Sequence, residues 1–145
     1  MTALQNLKIK WFSRARNAEQ QISAMQASLA YDMLLTQKLT EFEDCSKLCR
    51  KLENAQQQRK LQLIALAGIR EEIRSVIEQI PDSETRCIFL RKYLAYETNE
   101  QIAEAMYYDV RTIQRKHKKA LEKINIPSEP SISETTIFHN ITCEI

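Results

Sequence analysis

The sequence predicts an all-α protein in which long N-terminal helices, paired as a hairpin or coiled coil, precede a helix-turn-helix. Three observations predict this class. The 145 residues include one glycine and three prolines, and Ala, Leu, Gln, Glu, Lys and Ile dominate the rest; these are residues that enter a helix at low cost. No proline or glycine occurs from Met1 to Ala67. Apolar residues recur every three or four positions over most of the chain, which is the period of an amphipathic helix.

A chain of this length makes one modest domain or two small helical parts. The expected division is a helical dimerisation or partner-binding region over 1–80, a helix-turn-helix over 81–124 and a disordered tail over 125–145. The formal net charge of +2 selects no partner, but its distribution is uneven. Lys8, Lys10, Arg14 and Arg16 open the chain without an acid, and Glu129, Glu134 and Glu144 close it without a base.

In the opening segment Leu4, Leu7 and Trp11 form a short apolar stripe interrupted by Lys8 and Lys10. It is expected to pack on the chain's own helices or on a partner. The alternative is a membrane-surface helix with Trp11 and Phe12 at the interface. No apolar run reaches the length of a membrane span and no secretory leader is visible, so no membrane partner is expected. An intracellular protein with free thiols fits this composition.

Ile22, Met25, Leu29 and Met33 make the next stripe, followed by Leu35, Leu39, Phe42, Cys45, Cys49 and Leu52. The phase changes near Thr36 and Thr40, so either one helix shifts register there or two helices meet at a short turn. Gln56, Gln57, Gln58, Arg59 and Lys60 read as an exposed connector or a solvated helix surface. Leu63, Leu66, Ile69, Ile73, Val76, Ile77 and Ile80 then define a clear face, with Glu71, Glu72, Arg74 and Glu78 off it. Gly68 lies inside this pattern and marks a close approach or a kink. Pro81 ends it, and Asp82 or Ser83 caps a helix over Arg86 to Leu94. Cys87, Leu90 and Leu94 are expected to face inward there, with Arg86, Arg91 and Lys92 outward.

Thr98 or Asn99 caps the next helix, whose inner face is Ile102, Ala103 and Met106. Small Ala103 suits the close-approach point of two steeply crossed helices. Tyr107 and Tyr108 occupy the turn, and Asp109 is placed to cap the helix that follows. In that helix Ile113, His117, Ala120, Leu121 and Ile124 form the buried stripe. Arg111, Thr112, Gln114, Arg115, Lys118, Lys119 and Glu122 remain outside, and Glu122 is the single acid among the cations from Arg111 to Lys123. A docked helix with so basic an outer face is what a reader of a DNA groove requires. The competing reading is an ordinary helical hairpin kept soluble by its charges. No glycine stands in the turn, and a tyrosine held there at positive φ is strained.

Residues near the start of the second helix reach base edges when such a helix enters the major groove. Arg111, Thr112, Gln114 and Arg115 are the candidates. Lys118 and Lys119, further along, suit phosphates, and Arg91 and Lys92 on the preceding helix suit the opposite backbone. Tyr108 either donates its hydroxyl to a phosphate or plugs the turn. His117 reads as a partly buried structural residue, and Tyr93 and Tyr96 as packing residues.

Catalytic and metal chemistry find little support. Cys45 and Cys49 share a helix face, but Cys87, Cys143, His117 and His139 supply no second close pair, so the cysteines read as small hydrophobes and no metal or cofactor is expected. There is no glycine-rich phosphate loop and no Ser or Cys beside a base, so the chain does not read as an enzyme.

Residues 84–124 resemble the fourth conserved region of bacterial sigma factors, through Ile102-Ala103-Glu104-Ala105-Met106, the turn at Tyr107-Tyr108-Asp109, and Thr112-Ile113 before a basic run. The chain also resembles small phage-encoded transcriptional regulators of the ArpU/RinA type. That pattern runs from Arg91-Lys92-Tyr93-Leu94 through Ile102-Ala103 to Tyr108, Arg111, Arg115, His117 and Ala120-Leu121. The likeness is fullest over 70–124, partial over 14–69, and absent from the tail. It implies a sigma region 4-like helix-turn-helix that binds double-stranded promoter DNA and activates phage late or structural genes. It further implies contact with host RNA polymerase and a place in the bacterial host cytoplasm, at the nucleoid. Tyr107 and Asp109 depart from the residues usual at those positions. The N-terminal helices would supply dimerisation, as a homodimer, or polymerase contact, since their stripe can close as an intrachain hairpin or pair between chains. Two non-catalytic alternatives stand beside this: a sigma-like factor that binds polymerase without reading bases, and a helical structural protein of a phage particle.

Overall fold

The computed structural model describes residues 2–40 and 46–127, and the elements among them are six α-helices. α1 (Ala3–Phe12) begins at Thr2, whose hydroxyl accepts from the Gln5 amide while the Gln5 side chain accepts from the Thr2 amide. This reciprocal cap satisfies two of the amides that a helix start leaves open. One residue, Ser13, separates α1 from α2 (Arg14–Leu39) and donates its hydroxyl to the Ile9 carbonyl at 2.8 Å. α3 (Ser46–Ile77) returns along α2. The pairs Arg14–Glu72, Met25–Gln62 and Met33–Gln56 occur in reverse order along the two helices, so they run antiparallel.

The chain therefore makes two helices near Thr40, not one with a shifted register, and α3 passes through both the Gln56–Lys60 tract and Gly68 without a break. Phe42 and Cys45 lie outside the described residues. The seam differs from expectation. α2 buries Ile22, Leu29 and Thr36, seven residues apart, whereas Met25, Met33, Leu35 and Leu39 are 41–48% exposed, and Leu63 of α3 is exposed as well. A two-helix seam covers only a narrow stripe, which leaves these flanks exposed among the described residues.

Nearer the chain's other helices, Leu66, Ile69, Ile73, Val76, Ile77 and Ile80 are buried as their spacing predicts. Glu72, expected off this face, is drawn into an ion pair with buried Arg14 at 3.4 Å. After Pro81, Asp82 caps α4 (Ser83–Tyr93), accepting from the Thr85 amide and, at 2.6 Å, from its hydroxyl. The inward face of α4 corrects the sequence reading. Ile88, Phe89, Tyr93 and Leu94 are buried, while Cys87 and Leu90 are exposed. α5 (Asn99–Met106) and α6 (Val110–Lys123) follow.

The opening segment also turns a different side inward. Leu4 and Leu7 are exposed, and Gln5, Lys8, Trp11 and Phe12 are buried. The reason lies at the end of α6, whose last carbonyls have no partner within the helix. The Lys8 ammonium donates to the Leu121 carbonyl at 2.7 Å, and the Gln5 amide reaches the Glu122 carboxylate. A cation there also complements the negative end of the helix dipole. With Trp11 and Phe12 in the core, the membrane-surface alternative for this segment loses its apolar anchors.

The main core draws Phe12, Ala15 and Ile22 from the start of the chain together with Ile69, Ile77, Phe89, Tyr93 and Leu121. It thus straddles the boundary expected at residue 81. Phe12 packs edge-on to Phe89, with centroids 5.4 Å apart, and stacks on Tyr93 at 5.0 Å. His117 lies against Phe89 and bonds through Nε2 to the Tyr93 hydroxyl. A smaller cluster of Ile88, Ile102, Ala103 and Ile113 joins α4, α5 and α6.

Burial pushes the His117 pKa down from 6.5 to about 3, with the Lys92 charge adding to the shift. The unfolded chain therefore takes up a proton between those values that the folded chain refuses. Stability is unaffected above the upper value and falls as pH drops toward the lower one, by up to about 1.4 kcal/mol per pH unit. His117→Gln keeps a polar partner for Tyr93 and removes the titration. Urea midpoints between about pH 7 and about pH 4 should fall more steeply for the parent than for this variant. Parallel slopes would assign the acid sensitivity to another group.

Candidate nucleic-acid interface

α4, α5 and α6 pack together as a three-helix unit, with the basic face of α6 exposed. Thr98 caps α5 with the same reciprocal arrangement as Thr2, bonding Gln101 in both directions. Ile102 and Ala103 are buried and Met106 partly so, as the spacing predicts. Both Tyr107 and Tyr108 donate their amides to the Ala103 carbonyl, which ends the helix. Tyr107 takes the left-handed conformation that the turn demands, with φ 59° and ψ 39°, and its side chain is 95% exposed. Glycine meets this demand without strain and tyrosine does not.

Asp109 stands at the N-cap of α6, but its side chain makes no capping bond. It is exposed, where water competes for the carboxylate. The amides of Thr112 and Ile113 are met instead by the Asp109 carbonyl. Ile113, His117 and Leu121 then fix the inner side of α6. Arg111, Gln114, Arg115, Lys118 and Lys119 are exposed, as expected, and Thr112 is half-buried.

The cations of this unit include an engaged group and an unengaged one on α6. Lys116 donates to a Glu84 oxygen at 3.1 Å, and the Tyr108 hydroxyl donates to the same oxygen at 2.7 Å. The Lys116 ammonium also lies 5.6 Å from the centre of the Tyr108 ring. These two donors hold the Glu84 carboxyl below its ordinary pKa, and Glu84 raises those of both Lys116 and Tyr108. Of the two roles open to Tyr108, its hydroxyl is spent here on securing the turn to the start of α4. Arg91 donates to both Glu97 oxygens at 3.2 Å. Lys92 donates to Asn99 at 3.0 Å, and partial burial lowers its pKa. The two residues expected to hold an opposite DNA backbone are thus engaged within the protein.

Arg111, Arg115, Lys118 and Lys119 form the second group, and no hydrogen bond or ion pair engages their side chains among the described residues. Arg115, Lys119 and Lys123, on successive turns of α6, line a groove of about 700 Å³ together with Gln79, Pro81 and Asp82. The Glu84–Lys116 pair and the participation of Lys123 were not read from the sequence. The bonds to Glu84 span 24 and 32 residues, so no local spacing rule reports them. Among the described residues, no group of three His, Cys, Asp or Glu stands close enough to hold a metal ion, and no helix is long and apolar enough to cross a membrane.

Replacing Tyr107 with glycine should relieve the left-handed strain. A non-glycine residue there costs about 1–2 kcal/mol, part of which glycine returns through the greater freedom of the unfolded chain. Tyr107→Gly is expected to raise the thermal midpoint by a few degrees. A lower midpoint would mean that the tyrosine ring makes a stabilising contact worth more than the strain.

No protein-family model, curated protein or solved structure matches the chain.

Proposed function

We propose that the protein is a sequence-specific regulator of transcription that reads double-stranded DNA with α6. One observation carries this reading: Arg111, Arg115, Lys118 and Lys119 on the exposed face of α6 have no hydrogen bond or ion pair among the described residues, while Arg91, Lys92 and Lys116 of the same three-helix unit are engaged. Unpaired, adjacent cations on a rigidly seated helix are free to replace the counterions of a phosphate backbone. The sigma region 4-like pattern of residues 84–124 also supports it, and the resemblance to phage regulators suggests activation of late or structural genes with host RNA polymerase. In this reading Arg111, Gln114 and Arg115 face base edges, and Thr112, half-buried, serves at the margin. Lys118 and Lys119 take phosphates, with Lys123 continuing the line. Arg91, Lys92 and Tyr108 position the unit through Glu97, Asn99 and Glu84.

Selection from random duplexes by the full chain should return one preferred sequence. Arg111→Ala and Arg115→Ala should each lower affinity for that duplex by about 1–3 kcal/mol and leave a scrambled duplex little affected. Lys118→Ala and Lys119→Ala should weaken both duplexes alike and reduce the salt slope by about one each. Equal losses on both duplexes for the arginine variants would place the wrong residues against the bases.

Glu84→Gln supplies an independent check, because it frees Lys116. Affinity for cognate and scrambled duplexes should rise together, and the salt dependence should steepen by about one. Unchanged salt dependence would place Lys116 away from the nucleic acid.

A second reading has one observation in its favour. The projecting half of the α2–α3 hairpin exposes Tyr31, Leu34, Leu61 and Ile64, which a protein partner such as RNA polymerase would cover. Capture of polymerase in the presence of nuclease, without selection of any duplex, would favour a polymerase-binding factor that reads no bases.

A further inference from the structure

α2 carries apolar residues on two opposite sides, and α3 covers only one of them. Ile22, Leu29 and Thr36 face α3. Half a turn away on the same helix, Ala24, Ala27, Tyr31 and Leu34 follow one another in steps of three, four and three residues. Those steps define a second helix-packing stripe. All four residues are exposed, Tyr31 by 62% and Leu34 by 50%, and Leu35 widens the stripe. A helix that is apolar on both sides is built to be buried on both.

Charge says what kind of surface covers it. Between Glu19 and Lys38 the one charged residue of α2 is Asp32, so the outer stripe neither attracts a charged partner nor repels a copy of itself. The facing stretch of α3 is different: Lys47, Arg50, Lys51, Arg59 and Lys60 stand there against Glu53. Two copies meeting through α3 would set like charges together, whereas two meeting through α2 would not.

We propose that a second copy of this chain covers the outer stripe of α2, the two α2 helices running antiparallel about a two-fold axis level with Leu29. Side-chain size selects the direction. In this register Ala24 faces the partner's Leu34 and Ala27 faces the partner's Tyr31, so each small residue receives a large one. Lys38 then lies opposite the partner's Gln20. A parallel pairing would set tyrosine on tyrosine and lysine on lysine, and leave a gap between the alanines. Each protomer contacts the same patch on the other, as a closed dimer requires. At 1.5 Å per residue from Leu29 back to the core near Ala15, the pairing puts the two three-helix units at opposite ends, roughly 40 Å apart or more. This deepens the reading above by naming what covers the hairpin, and it stands or falls separately from DNA recognition.

Light scattering on the full chain at tens of micromolar should give twice the 17.0 kDa chain mass. Ala24→Glu combined with Leu34→Glu should halve that mass with the helical circular dichroism retained. A parent of single-chain mass, or a doubly substituted variant that stays dimeric, would overturn the proposal. Direction is tested without disturbing the fold by mixing chains carrying Ala24→Cys with chains carrying Leu34→Cys, in a background where Cys45, Cys49, Cys87 and Cys143 are serine. A short bismaleimide should join unlike chains. Joining of like chains alone, or of none, would overturn the antiparallel register. A monomer that still selects one duplex would overturn the pairing and leave the DNA reading intact, and a dimer that selects none would do the reverse.

Discussion

The seating of α6 depends on one buried polar contact, the hydrogen bond between His117 and the Tyr93 hydroxyl inside an aromatic core. Phe12 and Phe89 exclude water from it, so each partner must satisfy the other. The bond is directional where the surrounding contacts are not, and it sets the rotation of α6 about its own axis. That rotation decides which residues point outward. Lys8 adds a second restraint from the other end of the sequence by occupying the Leu121 carbonyl. α1 thereby clamps α6, and the outer face of α6 is held by groups that never reach it.

From that seat follows the separation of engaged and unengaged cations. Lys116 lies on the flank of α6 nearest α4 and meets Glu84; Arg111, Arg115, Lys118 and Lys119 make no ion pair among the described residues. The same Glu84 oxygen fixes Tyr108, so the turn between α5 and α6 is tied to the start of α4. Tyr107 is forced outward in a left-handed conformation as the chain reverses. Strain of that kind persists only where the neighbouring structure over-determines the backbone. Here the two amide bonds to the Ala103 carbonyl and the burial of Ile102 and Ile113 on either side provide that constraint.

The hairpin answers to a different constraint. Its inner half is part of the core, pinned by Arg14 and Glu72, and its outer half has a single two-helix seam. Two helices cannot enclose a full apolar layer, because each covers only one stripe of the other. The surplus apolar residues of α2, Tyr31, Leu34 and Leu35 among them, are therefore left exposed by the described fold.

Helix identity and order beyond Leu63 were legible in the sequence because they depend on local rules, whereas the break at Ser13 was not and that near Thr40 was left open. Asp82 and Thr98 cap α4 and α5, and the spacing of Ile113, His117 and Leu121 marks the buried side of α6. The five exposed candidates on α6 follow from the same periodicity. Inward faces were not legible where apolar residues run together or where polar ones do structural work. Cys87-Ile88-Phe89-Leu90 offers several faces of equal apolarity, and only the positions of Phe12 and His117 select Phe89. Gln5 and Lys8 look like surface until the open carbonyl end of α6 is set beside them. Arg91, Lys92 and Tyr108 read as free donors because their partners Glu97, Asn99 and Glu84 are fixed by turns and packing. The sequence by itself determined where α4, α5 and α6 start and which of them carry charge, since propensity, capping and period act within a few residues. Tertiary structure alone decided which charges are spent and which remain free, because that depends on which acids and carbonyls the fold brings within bonding distance.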